Sequence, residues 1–264
     1  MATADILTPT AGTRAIYRIN PVAKLAATAV IGIALVLSID WVSASVALAC
    51  EAVLFCFAGL GPHRFVRRTL PVAIAAVFAA ATILLYGRAS GVSHWRFLLV
   101  NVTDGSIELS VATLLRVLAI GLPAVVLFVT VDPTDLADGL AQVVRLPSRF
   151  VLGALGGLRL VGLFAEDWKS LELARRARGI ADSGRLRRFA GQAFALLVLS
   201  IRRGSKLATA MEARGFGSSI PRSWARESRF GRQEWMLVAV SFAIALAAVG
   251  TSVLTGHWNF LAGA

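Results

Sequence analysis

Charge is what this sequence is short of. Only 16% of its 264 residues are Asp, Glu, Lys or Arg, against about 25% in a soluble domain. The shortage is uneven, because 27 Lys and Arg face 15 Asp and Glu, a formal net charge of +12. Cysteine and histidine are scarce too. Cys50 and Cys56 fall six residues apart in one apolar run, where a bridge within one helix is sterically disfavoured. They read as small apolar packers without a redox role. His63, His94 and His257 are scattered, so no metal site is expected. The phosphate-loop pattern G-x-x-x-x-G-K-[ST] is missing. The nearest string, RRGSKL at 202–207, lacks its glycine spacing. No local motif points to a Ser/His/Asp or Cys/His constellation. No catalytic residue and no cofactor are therefore assigned. Energy for any driven transport would have to come from outside the chain. The N-terminal stretch MATADILTPTAGTRAIYRIN lacks a charged run leading straight into a short apolar core and cleavage site. It does not read as a secretory signal, and the first apolar segment stays as a span.

What is abundant is apolar: 57% of the residues are hydrophobic and the mean hydropathy is +0.72. A helical span needs about 20 mostly apolar residues. Five segments qualify or come close: 22–39, 41–60, 70–86, 111–131 and 235–255. Trp41, Tyr86 and Trp235 sit at span edges, where amphipathic rings favour the interface. The basic residues alternate in side. Arg14, Arg18 and Lys24 precede or open the first span, and Arg64, Arg67 and Arg68 stand between the second and third. Residues 134–234 hold 18 Lys or Arg. The opposite side has Asp40 in a tight turn and the 87–110 loop, with turn material in GVSHW and NVTDGS. The positive-inside rule then puts the N-terminus in the cytoplasm and the C-terminus outside. Two ionisable groups, Glu51 and Arg116, fall inside spans. Such groups either mark a substrate or ion path or belong to buried pairs and snorkelled span ends.

The organisation follows: residues 1–131 with four spans, a basic section at 132–234, and a final span in 235–264. The basic section opens with DPTDLADGLAQVVRLP. Asp132 or Thr134 can cap a short helix, with Pro133 early and Pro147 ending it. Two long helical patterns come next. Each starts apolar, turns basic, and ends in the same way: ARRARGI at 174–180 and AMEARGF at 210–216. Leu171, Ala174 and Arg178 share one helical face, as do Leu207, Ala210 and Arg214. Gly179 and Gly215 are natural positions just past a helix end, and an arginine suits that end electrostatically. Ala177 and Ala213 keep the ends narrow. One such ending is ordinary. Two matching tips point to a two-fold partner or to two similar partners, each taking one arginine. Guanidinium stays charged when partly buried and pairs bidentately with carboxylates. Anionic lipid headgroups would explain the charge but not the repeated spacing.

Several strings resemble the transmembrane T component of energy-coupling factor transporters, the EcfT/CbiQ family. YRINPVAKLAATAVIGIAL resembles its opening, with a Pro and a Lys at the first span. TVDPTDLADGLAQVVRLP resembles its Asp-Pro-x-Asp-Leu string leading to a Leu-Pro. LELARRARGI and LATAMEARGFG resemble its paired Ala-Arg-Gly signatures. The resemblance covers nearly the whole chain, in order. It implies an all-α polytopic membrane protein with about five transmembrane helices plus long cytoplasmic coupling helices. It implies a scaffold in the bacterial plasma membrane, not an enzyme, that couples ATP hydrolysis by two cytoplasmic ATPase subunits to uptake of a vitamin or transition-metal ion through a small substrate-binding membrane subunit. On this resemblance Ala177, Arg178, Gly179, Ala213, Arg214 and Gly215 are the ATPase-coupling residues. Cobalt, nickel, biotin and other vitamins stay open as cargo, since in the family the substrate subunit sets it.

Two other classes compete. A self-sufficient channel or carrier has Glu51 and Arg116 as its support and predicts flux from this chain alone. A membrane-tethered nucleic-acid binder is motivated by the net charge. It needs a basic face interleaved with aromatics, and the basic section has few, chiefly Phe150, Trp168, Phe189, Phe216 and Trp224. No nucleic-acid partner is expected.

Overall fold

The computed structural model describes residues 19–58, 62–87, 90–97, 100–128, 130–179, 184–218 and 223–256. Arg14, Arg18 and His257 lie outside them, as do residues 180–183 and the side chains of Cys56, His63, Arg64, His94 and Arg96. Among the described residues there are eight helices: α1 Pro21–Val36, α2 Trp41–Ala58, α3 Pro62–Tyr86, α4 Asp104–Phe128, α5 Pro133–Gln142, α6 Ser148–Ala177, α7 Arg185–Ala213 and α8 Arg232–Leu254. The chain is an all-α polytopic membrane protein with one small addition. In the 87–110 loop, β1 Ser93–Phe97 pairs antiparallel with β2 Val100–Thr103.

The helices start earlier than the apolar runs. α4 begins at Asp104 instead of 111, because Thr103 and Ser106 cap it reciprocally. Thr103 N donates to Ser106 Oγ at 2.9 Å, and Ser106 N donates to Thr103 Oγ1 at 3.3 Å. α3 begins at Pro62 instead of 70. Its arginines are good helix formers, so charge ends the apolar run without ending the helix.

The chain forms two compact units, residues 1–136 with 228–264, and residues 137–227. In the first, α1 and α2 each pack against both α4 and α8, and α3 packs on α4. The core cluster is Ile31, Leu35, Ala47, Ala119, Ile244 and Ala248. Many of the most buried side chains are alanines, including Ala23, Ala27, Ala44, Ala76 and Ala119, while Ile33, Phe78, Val77 and Leu246 are exposed. Small residues inside and large apolar ones outside invert the pattern of a soluble protein. Lipid explains it: helix association in a bilayer relies on close backbone approach, and large apolar groups suit the acyl chains. Gly121 shows how close that approach is, since a Cβ there would lie 2.4 Å from Val72 Cγ1.

Four described helical stretches are long and apolar enough to cross a membrane: Phe65–Tyr86, Asp104–Phe128, Ser148–Ala177 and Arg232–Leu254. Pro21–Val36 and Trp41–Phe55 are apolar but shorter. Three of the five expected spans thus lie in these long stretches, and the other two lie in α1, of 16 residues, and α2, of 18 residues. α6 also qualifies, although its sequence position is in the basic section.

The turn between α1 and α2 is built around Asp40, which is 5% exposed. Its carboxylate accepts from Ser43 N at 2.7 Å, from Ser43 Oγ at 2.8 Å and from Ser38 Oγ. Burial pushes this carboxyl up, but the hydrogen bonds outweigh it and hold it below the ordinary carboxylate value. The stabilisation is therefore present above the unfolded carboxylate pKa. It is lost as pH falls through the lowered folded value.

Candidate functional site

The second unit is built on α6 and α7, which run antiparallel. A Cβ on Gly156 would meet Leu207 Cδ2 at 3.5 Å, and one on Gly191 would lie 2.9 Å from Arg175 Nη2. Near the second of these points Trp168 and Phe189 meet, ring centroids 5.6 Å apart and tilted. Arg203 Nη2 donates to Asp167 Oδ1 at 2.8 Å, with Nη1 2.5 Å from Oδ2. Early residues of α6 thus meet late residues of α7, and the reverse. These pairing residues leave no mark in the sequence. A charge on one helix and its opposite 36 positions later carry no local signal.

The pairing separates the motif arginines by role. Arg175 reaches across to the Arg188 carbonyl at 3.3 Å. Arg176 pairs with Glu172 at 2.6 Å, one turn back on the same helix. Arg178 is exposed, and among the described interactions its guanidinium has no partner. The same holds for Arg214. Of the arginines in ARRARG, one is held by the neighbouring helix, one by its own, and one is available.

The two helix ends are closed alike. Gly179 has φ +70° and Gly215 φ +79°, a left-handed conformation that costs other residues about 1–2 kcal/mol. Gly179 N donates to Arg176 O at 3.0 Å, and Gly215 N to Glu212 O at 2.9 Å. At the second end Phe216 N also donates to Met211 O at 2.9 Å, which completes a Schellman motif. Ala177 and Ala213 are exposed and leave each tip narrow.

Because the helices are antiparallel, the like tips stand at opposite ends of the pair. Arg175 marks the level of Arg188 on α7. From there to Arg214 the helix rises about 40 Å at 1.5 Å per residue. The six expected site residues are therefore two separate groups of three.

Glu51 and Arg116 belong to the first unit and do not pair with each other. Glu51 is 1% exposed, and neither carboxylate oxygen has a hydrogen-bond partner among the described residues. Arg116 Nε donates to Leu35 O at 2.8 Å. It thereby satisfies a carbonyl in the last turn of α1, which has no partner within the helix.

A family model described as CbiQ, cobalt transport protein, matches residues 12–223. The chain is 27% identical over 198 residues to the energy-coupling factor transporter transmembrane protein EcfT of Exiguobacterium sibiricum, covering 70% of this chain and 75% of that protein. The protein of the same name from Limosilactobacillus fermentum is 28% identical over 196 residues, 70% of each chain. That from Lacticaseibacillus paracasei is 25% identical over 255 residues, 91% of this chain and 92% of the other.

Proposed function

Because the chain belongs to the CbiQ family, we propose that it is the transmembrane scaffold, or T component, of an energy-coupling factor transporter in the bacterial plasma membrane, with its N-terminus in the cytoplasm. It is a coupling part without catalysis of its own. Two ATP-binding-cassette subunits hydrolyse ATP, one seated on the tip at Ala177, Arg178 and Gly179, the other on the tip at Ala213, Arg214 and Gly215. A small substrate-binding membrane subunit selects the cargo, a vitamin or a transition-metal ion. Movement of the ATPases shifts the tips, and α6 and α7 carry that shift toward the spans.

One observation carries this reading. Each of two like-capped helix ends presents one exposed arginine without a partner among the described residues, and the ends are about 40 Å apart by helix rise. That separation exceeds the reach of any single side chain, which supports two separate partner sites. A guanidinium at each tip suits an acidic groove, where a charged pair contributes more than it would in open solvent.

Reconstitution in liposomes tests it. Uptake is expected to need ATP, both ATPases, the substrate subunit and this chain together. Substrate flux through this chain alone would support the self-sufficient carrier instead, the reading that the unpartnered Glu51 carboxyl favours. The narrow tip makes a second prediction. Ala213→Phe retains the charge but should weaken the contact at that tip by about 1–3 kcal/mol through overpacking. That corresponds to roughly a five- to hundredfold loss in affinity for the ATPase, read by titration of the subunit onto the detergent-solubilised chain. Unchanged affinity would show that the groove does not enclose the tip.

A further inference from the structure

Residues 137–227 are inserted in the first unit. The segment that leads into them, including Thr130 and Asp135, and the segment that leaves them, including Ser228, Arg229 and Glu234, both belong to that unit. Both segments are tied to one short piece of chain at the start of α1.

On the leading side the contact is Lys24, which is 1% exposed. Its Nζ donates to Thr130 Oγ1 at 2.7 Å and to Thr130 O at 3.1 Å. The charge of Asp135 acts on the same ammonium. A buried ammonium is costly unless paired and hydrogen-bonded, and the C-terminal end of a helix, here α4, is a favourable place for it. On the leaving side the contact is Asn20, 7% exposed. Its Nδ2 donates to Ser228 Oγ at 2.8 Å and to Arg229 O at 3.1 Å. Its backbone N–H donates to Glu234 Oε1 at 3.1 Å. The other oxygen of Glu234 accepts from Gly231 N at 2.8 Å. Asn20 also caps α1, its Oδ1 accepting from Val22 N at 3.0 Å.

Asn20 and Lys24 are four positions apart, one turn of helix. They hold the segment before the inserted residues and the segment after them at adjacent points on the same helix, all within the first unit, and α1 packs on α4 and α8 alike. We propose that Asn20 and Lys24 form the joint through which displacement of α6 and α7 reaches the spans. They are positioning residues for transport. A shift of the leading segment against the leaving segment becomes a tilt or rotation of α1, which passes it to α4 and α8 by packing. This rests on the coupling reading above. It adds the place where motion in the basic unit enters the membrane part.

Two variants of the reconstituted complex test it. Asn20→Asp keeps the oxygen that caps α1 but replaces the amide donor with an oxygen that repels the Arg229 carbonyl and Glu234. Lys24→Met keeps most of the buried stem and removes the ammonium. The readout is substrate taken up per ATP hydrolysed, beside the ATPase rate and the amount of assembled complex. Each variant is expected to assemble and to hydrolyse ATP within about twofold of the unmodified complex, while uptake per ATP falls about tenfold or more, the scale of a lost hydrogen bond to a buried charged group. Unchanged uptake per ATP would overturn the proposal. So would dispersal of the complex with both activities lost, because that would make the two residues part of the fold only. Absence of ATP-driven uptake with the unmodified chain would instead overturn the coupling reading itself.

Discussion

A chain carrying both Arg178→Glu and Arg214→Glu is expected to leave the proposed ATPase subunits behind in co-purification and to support no ATP-driven uptake. Neither Arg178 nor Arg214 has a partner among the described residues, so neither change breaks an internal contact and the helix pair itself should persist. At an interface the loss of one member of a buried charged pair costs about 2–5 kcal/mol, and reversal adds repulsion. The tips are about 40 Å apart by helix rise, so the two effects should add, as they do for sites that share no partners. Each single variant should lose one ATPase contact, and the double variant both. Arg175→Glu and Arg176→Glu form the control. Arg175 is held by the Arg188 carbonyl across the helix pair and Arg176 by Glu172 on its own helix, so the first change should disturb the pairing, the second only the end of α6, and neither should remove the ATPase contact. Full uptake by the double variant would remove the assigned role from both arginines.

Glu51→Met is expected to stabilise the protein. The Glu51 carboxyl is almost fully buried in α2, and neither oxygen finds a hydrogen-bond partner among the described residues. A buried polar group without a partner costs about 1–3 kcal/mol, whereas an apolar group of similar shape is nearly neutral. Methionine matches the length of the side chain and adapts to irregular gaps. The thermal midpoint should rise by several degrees, at roughly 2–4 °C per kcal/mol for a chain of this size. Uptake by the complex should persist, because under the proposed scaffold role no substrate passes this position. A lower midpoint would mean that the carboxyl has a structural partner. A higher midpoint with uptake lost would place the carboxyl on a transport path and favour the carrier reading.

Much of the fold is legible in the composition and the order of residues. The apolar segments, the clustering of Lys and Arg in alternate connections, and the two glycine-terminated helices are local patterns. A helix end is settled by the few residues around it, which is why Gly179 and Gly215 adopt the left-handed conformation that their sequence context implies. Helix starts are less legible. α4 gains about two turns through the Thr103–Ser106 cap, and an apolar-run criterion is blind to a polar cap. The hairpin of β1 and β2 was also hidden, since its strands are short and their pairing is set by the partner strand.

The candidate site was half legible. The sequence by itself determined that two like tips exist, each with one alanine, one arginine and one glycine in a row, because those features depend on a single turn of helix. Only the tertiary structure decided which arginine is available. Arg175, Arg176 and Arg178 are chemically identical, and they differ by what stands within a few ångströms of each. It also decided that the tips point away from each other. That direction comes from Trp168 on Phe189 and Asp167 on Arg203, contacts between residues 21 and 36 positions apart. The joint at Asn20 and Lys24 is longer-ranged still. Lys24 reads in sequence as one more basic residue near a span end. Folding brings it to Thr130 and brings Asn20 to Ser228 and Glu234, because a buried donor must find an acceptor wherever the packing of α1, α4 and α8 puts one.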